Sequence, residues 1–300
     1  MTPPLDSVAP KELGHSTAAQ TRGGGQPLCA FTVDVEDWYQ STVDYDAAVS
    51  ERVVGNVDRV VALLDECGIK GTFFVQGLVA ERFPGMVQRL VTEGHEIQSH
   101  GYSHRPLFGM DWKALERELE RGRKSVEDAA GGSVTAFRAG DFSILRSNLW
   151  ALEVLAEQGF KVDSSIFPVR TRRYGIAGWE SGPKRLRFPS GAELLEVPVS
   201  TWGNGRIRIP VGGGGYFRLL PLAVLRASLG SVVTKRPVVI YCHPYEFNSR
   251  EMDDYRDRVS WSVRLHQGVG RHALTRRLRD LFAALPFGRL DRVLEAWGLA

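Results

Sequence analysis

The sequence predicts an α/β chain folded as a distorted or incomplete TIM-like (β/α) barrel of about seven parallel strands, and three observations carry that reading. Short apolar runs alternate with amphipathic helical patterns from residue 28 to about 163, which calls for a parallel sheet with right-handed crossovers. Five of the runs end abruptly on a chemically useful side chain: Phe31-Thr32-Val33-Asp34, His95-Glu96-Ile97-Gln98-Ser99-His100, Thr135-Ala136-Phe137-Arg138, Phe160-Lys161-Val162-Asp163 and Val238-Val239-Ile240-Tyr241-Cys242-His243. The carboxyl ends of barrel strands open on one face, so these endings describe one converging pocket. Six or seven such runs can be found rather than eight, hence an incomplete barrel.

Taken in order, residues 1–27 hold Pro, Gly, Ser, Thr and Gln with little apolar periodicity and are expected to form a disordered leader. Residues 28–245 form the barrel domain and 246–300 a helical extension packed on it. The first strand closes on Asp34. Asn56 is a candidate N-cap for a helix carrying Val57, Val60, Val61 and Leu64 on one face, and Gly68 stops that helix. A strand at 69–75, a helix at 79–92 and a strand at 95–99 follow. Asp111 caps the next helix, 134–138 is a strand, a helix follows Ser147, and 160–163 is a strand. Between 170 and 215 the alternation gives way to Gly, Pro, Arg and Trp with small strands such as 194–199, an elaborated loop region suited to substrate contacts. After His243, patterns at 271–285 and 290–297 predict two amphipathic helices on the barrel exterior.

Three hundred residues with 43% apolar and 24% charged content suffice for a full core. A formal charge of +3, with arginines scattered through amphipathic stretches, argues against a nucleic-acid partner. No stretch has the roughly 18 apolar residues of a membrane span, and the amino terminus has no charged start followed by an apolar core. The expectation is therefore a cytoplasmic protein without stable membrane insertion; the oligomeric state is not indicated. Cys29, Cys67 and Cys242 lie in or beside apolar runs without paired spacing, and are expected to be buried, reduced thiols.

The chemistry concentrates at the strand ends. His100 and His104 stand four apart, with the first at a strand terminus, so a turn would aim both imidazoles the same way. Asp34-Val35-Glu36-Asp37 groups three carboxylates, which repel one another unless a cation or an arginine neutralises them. Two histidines and a carboxylate make an open site for one divalent ion, zinc foremost, with cobalt or nickel as alternatives. Asp34 is assigned as the base and Glu36 as the metal carboxylate, with Asp37 as its rival; the competing role for these acids is capping the following helix. Arg138 is placed to pair with Asp34 and keep it ionised. His243, fixed before Pro244, is placed to give a proton to a leaving group. The Gly212–Gly215 run lacks the Lys-Ser/Thr of a phosphate loop. Trp179 and Trp202 have faces on which sugars stack.

Assembled, these residues resemble the polysaccharide deacetylases, the NodB-homology or carbohydrate esterase family 4 group. The family's metal-binding His-x-x-x-His is matched by His100 to His104, its first-motif catalytic Asp by Asp34, its arginine motif by Arg138 and its closing His motif by His243-Pro244. Thr32-Val33-Asp34-Val35-Glu36-Asp37-Trp38-Tyr39, Asp163-Ser164-Ser165-Ile166-Phe167-Pro168, Gly215-Tyr216-Phe217-Arg218 and His243-Pro244-Tyr245-Glu246-Phe247 resemble more narrowly a branch associated with bacterial exopolysaccharide synthesis, with a short carboxyl-terminal extension. Two departures matter: Val35 stands where the family has a second aspartate, leaving Glu36 or Asp37 to serve the metal. The family's Arg-Pro-Pro reads Arg138-Ala139-Gly140-Asp141, which leaves open a role for the Asp141 N–H at the oxyanion. The resemblance implies metal-dependent removal of N-acetyl groups from amino sugars of a glycan or its lipid-linked precursor, with Asp141, Asp163 and Trp202 facing substrate. The alternatives are hydrolysis of another C–N bond, cyclic or linear, and a catalytically silent glycan-binding module.

Overall fold

The computed structural model describes residues 11–12, 26, 28–171, 173–204 and 207–300. Within the expected leader, Lys11–Glu12 forms a short strand, β1; apart from Gln26, the rest of 1–27 lies outside the described residues. Cys29–Val35 (β2) is buried at every position, as a strand covered on both faces must be. Trp38–Thr42 (α1) and Arg52–Glu66 (α2) follow. α2 begins a turn before Asn56, which is no cap: the buried Asn56 Nδ2 donates to Glu251 Oε2 at 3.0 Å, a tertiary partner rather than its own helix terminus. Next come Thr72–Val75 (β3), Gly77–Arg82 (α3) and Pro84–Thr92 (α4). The single helix expected at 79–92 is two, because Pro84 has no N–H and forces Phe83 out of helical geometry (φ −129°, ψ 54°), then serves as the first residue of α4.

Glu96–Ser99 (β4) leads to Trp112–Ala130 (α5), capped by the Asp111 carboxylate accepting from Ala114 N at 2.8 Å, as the sequence predicts. Ala136–Phe137 (β5), Ala151–Glu157 (α6) and Val162–Asp163 (β6) continue the alternation. The irregular region contains Lys184–Arg187 (β7), Glu193–Glu196 (β8), Thr201–Asn204 (β9), Ile207–Pro210 (β10) and Gly214–Leu219 (α7), before Leu222–Val233 (α8) and Val238–Cys242 (β11). The sheet order is β1-β7-β8-β6-β5-β4-β3-β2-β11. From β8 to β11 every pairing is parallel, which makes seven barrel strands, while β1 and β7 pair antiparallel on the outer edge. β8, expected as a small strand of an elaborated loop, is thus the seventh strand of the distorted barrel. The chain after β8 reaches across to β11, where Ser200 N donates to Val239 O and Tyr241 N to Gly212 O.

The tail differs from two helices laid on the exterior. Trp261–Gly268 (α9) and Arg271–Ala284 (α10) do lie outside, but Phe287–Gly288 (β12) pairs with Cys29 and Ala30, in the stretch of β2 ahead of the residues that β3 joins at Thr32. Leu290–Ala296 (α11) then closes the amino end of the barrel: Leu290, Val293 and Leu294 pack with Ala30, Phe74 and Val239, which share the inward-facing parity of Asp34 and Tyr241. Leu290 N donates to Thr72 Oγ1 at 2.7 Å and Asp291 N to Glu96 Oε2 at 3.2 Å, so two strand side chains satisfy the first N–H groups of the plug. Cys29 and Cys242 are buried free thiols and Cys67 is half-buried; burial pushes the Cys29 pKa up to about 12.

Candidate metal and catalytic site

At the carboxyl ends of the strands, above that apolar floor, the first polar layer is Arg138. Its side chain is fully buried, with the guanidinium 4.3 Å from the Phe74 ring centroid. Nη1 donates to Asp34 Oδ1 and to Thr32 Oγ1, both at 2.7 Å; Nη2 donates to Ser164 Oγ at 2.9 Å and Nε to Ser164 O at 3.2 Å. A charge this deep is tolerable only when paired and saturated with hydrogen bonds, and Asp34, Thr32 and Ser164 supply both.

Two residues beyond Asp34, Glu36 enters the cluster. Its Oε1 accepts from Ser41 Oγ at 3.0 Å and from Tyr245 OH at 3.3 Å, which turns Oε2 toward His100 Nε2 at 3.3 Å and into contact with His104 Nε2. All three side chains are buried, and their ligand atoms lie within 4.8 Å of one another. Burial alone would raise the Glu36 pKa, but the two imidazoles outweigh it and hold the carboxyl well below its ordinary value. His100 Nδ1 lies 2.8 Å from Arg138 O, so that nitrogen carries the proton and Nε2 presents a lone pair to the cluster. Two imidazoles and a carboxylate aimed at one point form a donor set that fits a divalent cation.

The loop between the histidines is held from two sides. Glu118 Oε1 accepts from Tyr102 N at 2.9 Å, Ser103 N at 2.6 Å and Ser103 Oγ at 2.9 Å, and Gln40 Nε2 donates to Ser103 O at 3.1 Å. His104 adopts φ +64°, and Gly140 packs against its ring so closely that a Cβ there would lie 2.7 Å from Cδ2. Strained backbone gathered around one side chain marks a place where geometry is fixed by its surroundings.

His243 reaches the same cluster from β11. Its Nε2 is 3.9 Å from Glu36 Oε1, its ring stacks on Tyr245 at 4.8 Å, and its side chain is 19% exposed, so it faces solvent on one side and the cluster on the other. Glu246 Oε2 accepts from His243 N at 3.1 Å and lies 3.7 Å from Nδ1. Burial opposes a charged ring, but Glu246 and Glu36 push the His243 pKa up to about 9, so it carries its proton at neutral pH.

Three sequence expectations change. Asp37 does not join the cluster: Oδ1 accepts from Tyr39 N and Gln40 N, both at 3.0 Å, and Oδ2 from Ser50 N at 2.9 Å, so it caps α1 and Glu36 alone supplies the carboxylate. Asp163 is fully buried, with Oδ1 accepting from Ser165 Oγ at 2.5 Å, so it braces the loop after β6 rather than facing a substrate. Its neighbour Glu196 is equally buried and its pKa is raised well above the usual range by burial and by Asp163. Trp202 lies opposite Ile209 on the β9–β10 hairpin, 39% exposed, and among the described residues has no hydrogen bond or ring contact with the cluster. Asp141, at φ +56°, accepts from Arg173 Nη2 at 2.7 Å and is partly open to solvent. Sequence reasoning missed Ser41, Glu118 and Tyr245; only Tyr245 stood inside a quoted motif, because serines and helix-face glutamates carry no local signal.

Comparison with known proteins agrees with this geometry. A profile described as polysaccharide deacetylase matches residues 37–162, and one described as a domain of unknown function, DUF3473, matches residues 164–295. The peptidoglycan-N-acetylglucosamine deacetylase of Bacillus cereus is 31% identical over 96 residues, which is 32% of this chain and 35% of that protein. The chitooligosaccharide deacetylase of Rhizobium leguminosarum bv. trifolii is 31% identical over 149 residues, 50% of this chain and 61% of that protein. The matches thus span about a third to three fifths of these curated relatives. Among solved structures, a Mycobacterium smegmatis protein assigned as a polysaccharide deacetylase superposes with a TM-score of 0.59 at 23% identity, over 93% of each chain. Puue allantoinase gives 0.60 at 16% identity, over 93% of this chain and 94% of that one. Both likenesses concern the fold. Residues 37–162, which carry both cluster histidines and Arg138, thus form a polysaccharide deacetylase domain, followed by the DUF3473 match.

Proposed function

We propose that this chain hydrolyses N-acetyl groups from amino sugars of a bacterial polysaccharide or its lipid-linked precursor, using one divalent cation, zinc foremost, held by Glu36, His100 and His104. The observation that carries the reading is the convergence of that donor set with a buried Arg138–Asp34 pair and a half-open His243 at one end of the barrel. A bound cation would supply Lewis-acid polarisation of the acetyl carbonyl and a more acidic water. Asp34, held in place by its contact with Arg138, takes the proton of the attacking water. His243 donates its proton to the departing nitrogen as the C–N bond breaks, giving acetate and a free amine. Ser41, Tyr245, Glu118 and Gln40 keep the donor atoms in place throughout, and such preorganisation is where electrostatic catalysis draws its strength. The peptidoglycan and chitooligosaccharide activities named for the two relatives support this substrate class.

The test is acetate release from a panel of N-acetylated oligosaccharides, with chelator and then with zinc, cobalt or nickel restored. Metal-restored release is expected. Bound metal without release from any glycan would move the assignment to another C–N bond, and neither metal nor release would leave a glycan-binding module.

A further inference from the structure

The carboxyl-terminal half exposes an apolar surface that the chemistry above does not use. α9 buries none of its side chains. Trp261 and Leu265 lie one turn apart on one stripe, exposed at 71% and 60%, and Val269 extends it. On the adjoining α7, Leu219 is exposed at 64% and Tyr216 at 50%. The two helices are fastened together, since Arg218 Nη1 donates to Gln267 O at 2.7 Å and Gly270 lies against Arg218. Single exposed apolar residues are ordinary, whereas such a group on adjoining helices marks a surface that meets something.

Charge decides what that is. From residue 259 to residue 279 the chain has five arginines and two histidines and no Asp or Glu. Arg271 and Arg277 spend their guanidinium groups on the carbonyls of Tyr245 and Leu220, and Arg279 pairs with Glu66. His266, His272 and Arg276 are exposed and Arg264 is half-exposed. The acids that bound this stretch, Asp257 and Asp280, are exposed, while Asp253 and Asp254 further upstream are engaged by Arg256 and Arg52. A Trp-Leu-Val stripe on a stretch that carries cations and no acid of its own is the composition of a helix that lies in the headgroup layer of an anionic bilayer. Among the described residues no helix is long and apolar enough to cross a membrane, so the contact is peripheral. The surface also adjoins the site: Arg271 Nη1 donates to Tyr245 O at 2.8 Å, and the Tyr245 ring stacks on His243.

We propose that the α7–α9 face is a docking surface for anionic phospholipid bilayers, a reading that stands independently of the hydrolytic one. The full chain is sedimented with vesicles of phosphatidylcholine alone and with about 30% phosphatidylglycerol, at roughly 0.1 and 0.5 M NaCl, where screening differs severalfold. Pelleting with the anionic vesicles at low salt is expected, with at least tenfold weaker binding of Trp261→Ser/Leu265→Ser and of Arg264→Glu/Arg276→Glu, and unchanged melting temperatures. Equal pelleting with neutral vesicles, or equal pelleting of the Trp261→Ser/Leu265→Ser variant, would overturn the proposal. So would a dimer in light scattering that this variant converts to monomer while no vesicle is bound, which would give the face to a second copy of the chain.

Discussion

Arg138 Nη1 and Asp34 Oδ1 meet at 2.7 Å in the barrel interior, joining the ends of β5 and β2 directly beneath the Glu36–His100–His104 cluster. Removing one member of such a pair leaves the other charge buried without compensation, which costs about 3–5 kcal/mol. Asp34→Ala should therefore lose stability of that order in chemical denaturation. Asp34→Asn keeps an acceptor for Arg138, should destabilise less and retain metal, and should lose about 100- to 10,000-fold in turnover if Asp34 is the base. Wild-type acetate release from Asp34→Asn would remove it from the proton path.

Adjacent acids should separate cleanly. Glu36→Gln weakens the donor set and is expected to lower metal affinity and activity together, read by calorimetric metal titration. Asp37→Asn leaves the cluster untouched and keeps an Oδ1 cap for α1 but loses the acceptor of Ser50 N, costing about 1–2 kcal/mol with metal stoichiometry intact. Loss of metal in Asp37→Asn would restore it as a ligand.

Gly140 offers a test at a distance of one atom. The Cβ of Gly140→Ala would overlap the His104 ring, which has no room to retreat inside its buried cluster. Metal affinity should fall about 10- to 100-fold, the scale on which displaced ligand supports act, and the overlap should also cost roughly 1–3 kcal/mol of stability. Unaltered affinity would mean that His104 is not a ligand.

What the sequence made legible follows from range. The strand endings at Asp34, His100, Arg138 and His243 are local events, each an apolar run stopping at a polar side chain, and they identified the face on which the site forms. Asp37 and Asp163 share that local signature, yet one turns back to cap its own helix and the other turns away from the barrel axis; side-chain direction depends on neighbours far along the chain. Glu118 was illegible for the same reason, since only the fold brings the middle of α5 to the loop at Tyr102 and Ser103. The plug, too, reads as an ordinary amphipathic helix until β12 carries it under the barrel.

That plug is structural rather than decorative. Leu290 is 1% exposed and packs on the inward face of the barrel floor, so Leu290→Ala removes buried methyl groups from a site with little freedom to collapse. A loss of about 2–5 kcal/mol is expected, without change in metal affinity per folded molecule. Denaturation curves superimposable on wild type would place α11 outside the core.

Acid should reveal His95. The ring is almost fully buried, Nδ1 accepts from Gly71 N at 3.1 Å, and its edge meets Phe73 at 4.9 Å. Burial, with Lys70 nearby, lowers its pKa to about 4, whereas the unfolded chain titrates near 6.5. Above pH ~6.5 both states hold a neutral ring and the stability is fully present. As pH falls from ~6.5 to ~4 the unfolded chain binds a proton that the folded chain refuses, so stability drops, by an amount on the order of 3 kcal/mol once the ring is protonated in both states. His95→Gln keeps an acceptor for Gly71 but cannot titrate, so its stability profile should be flatter than wild type across that window and parallel to it above pH 7. Parallel profiles throughout, measured by denaturation at each pH, would show that His95 takes its proton in the folded state as readily as in the unfolded one.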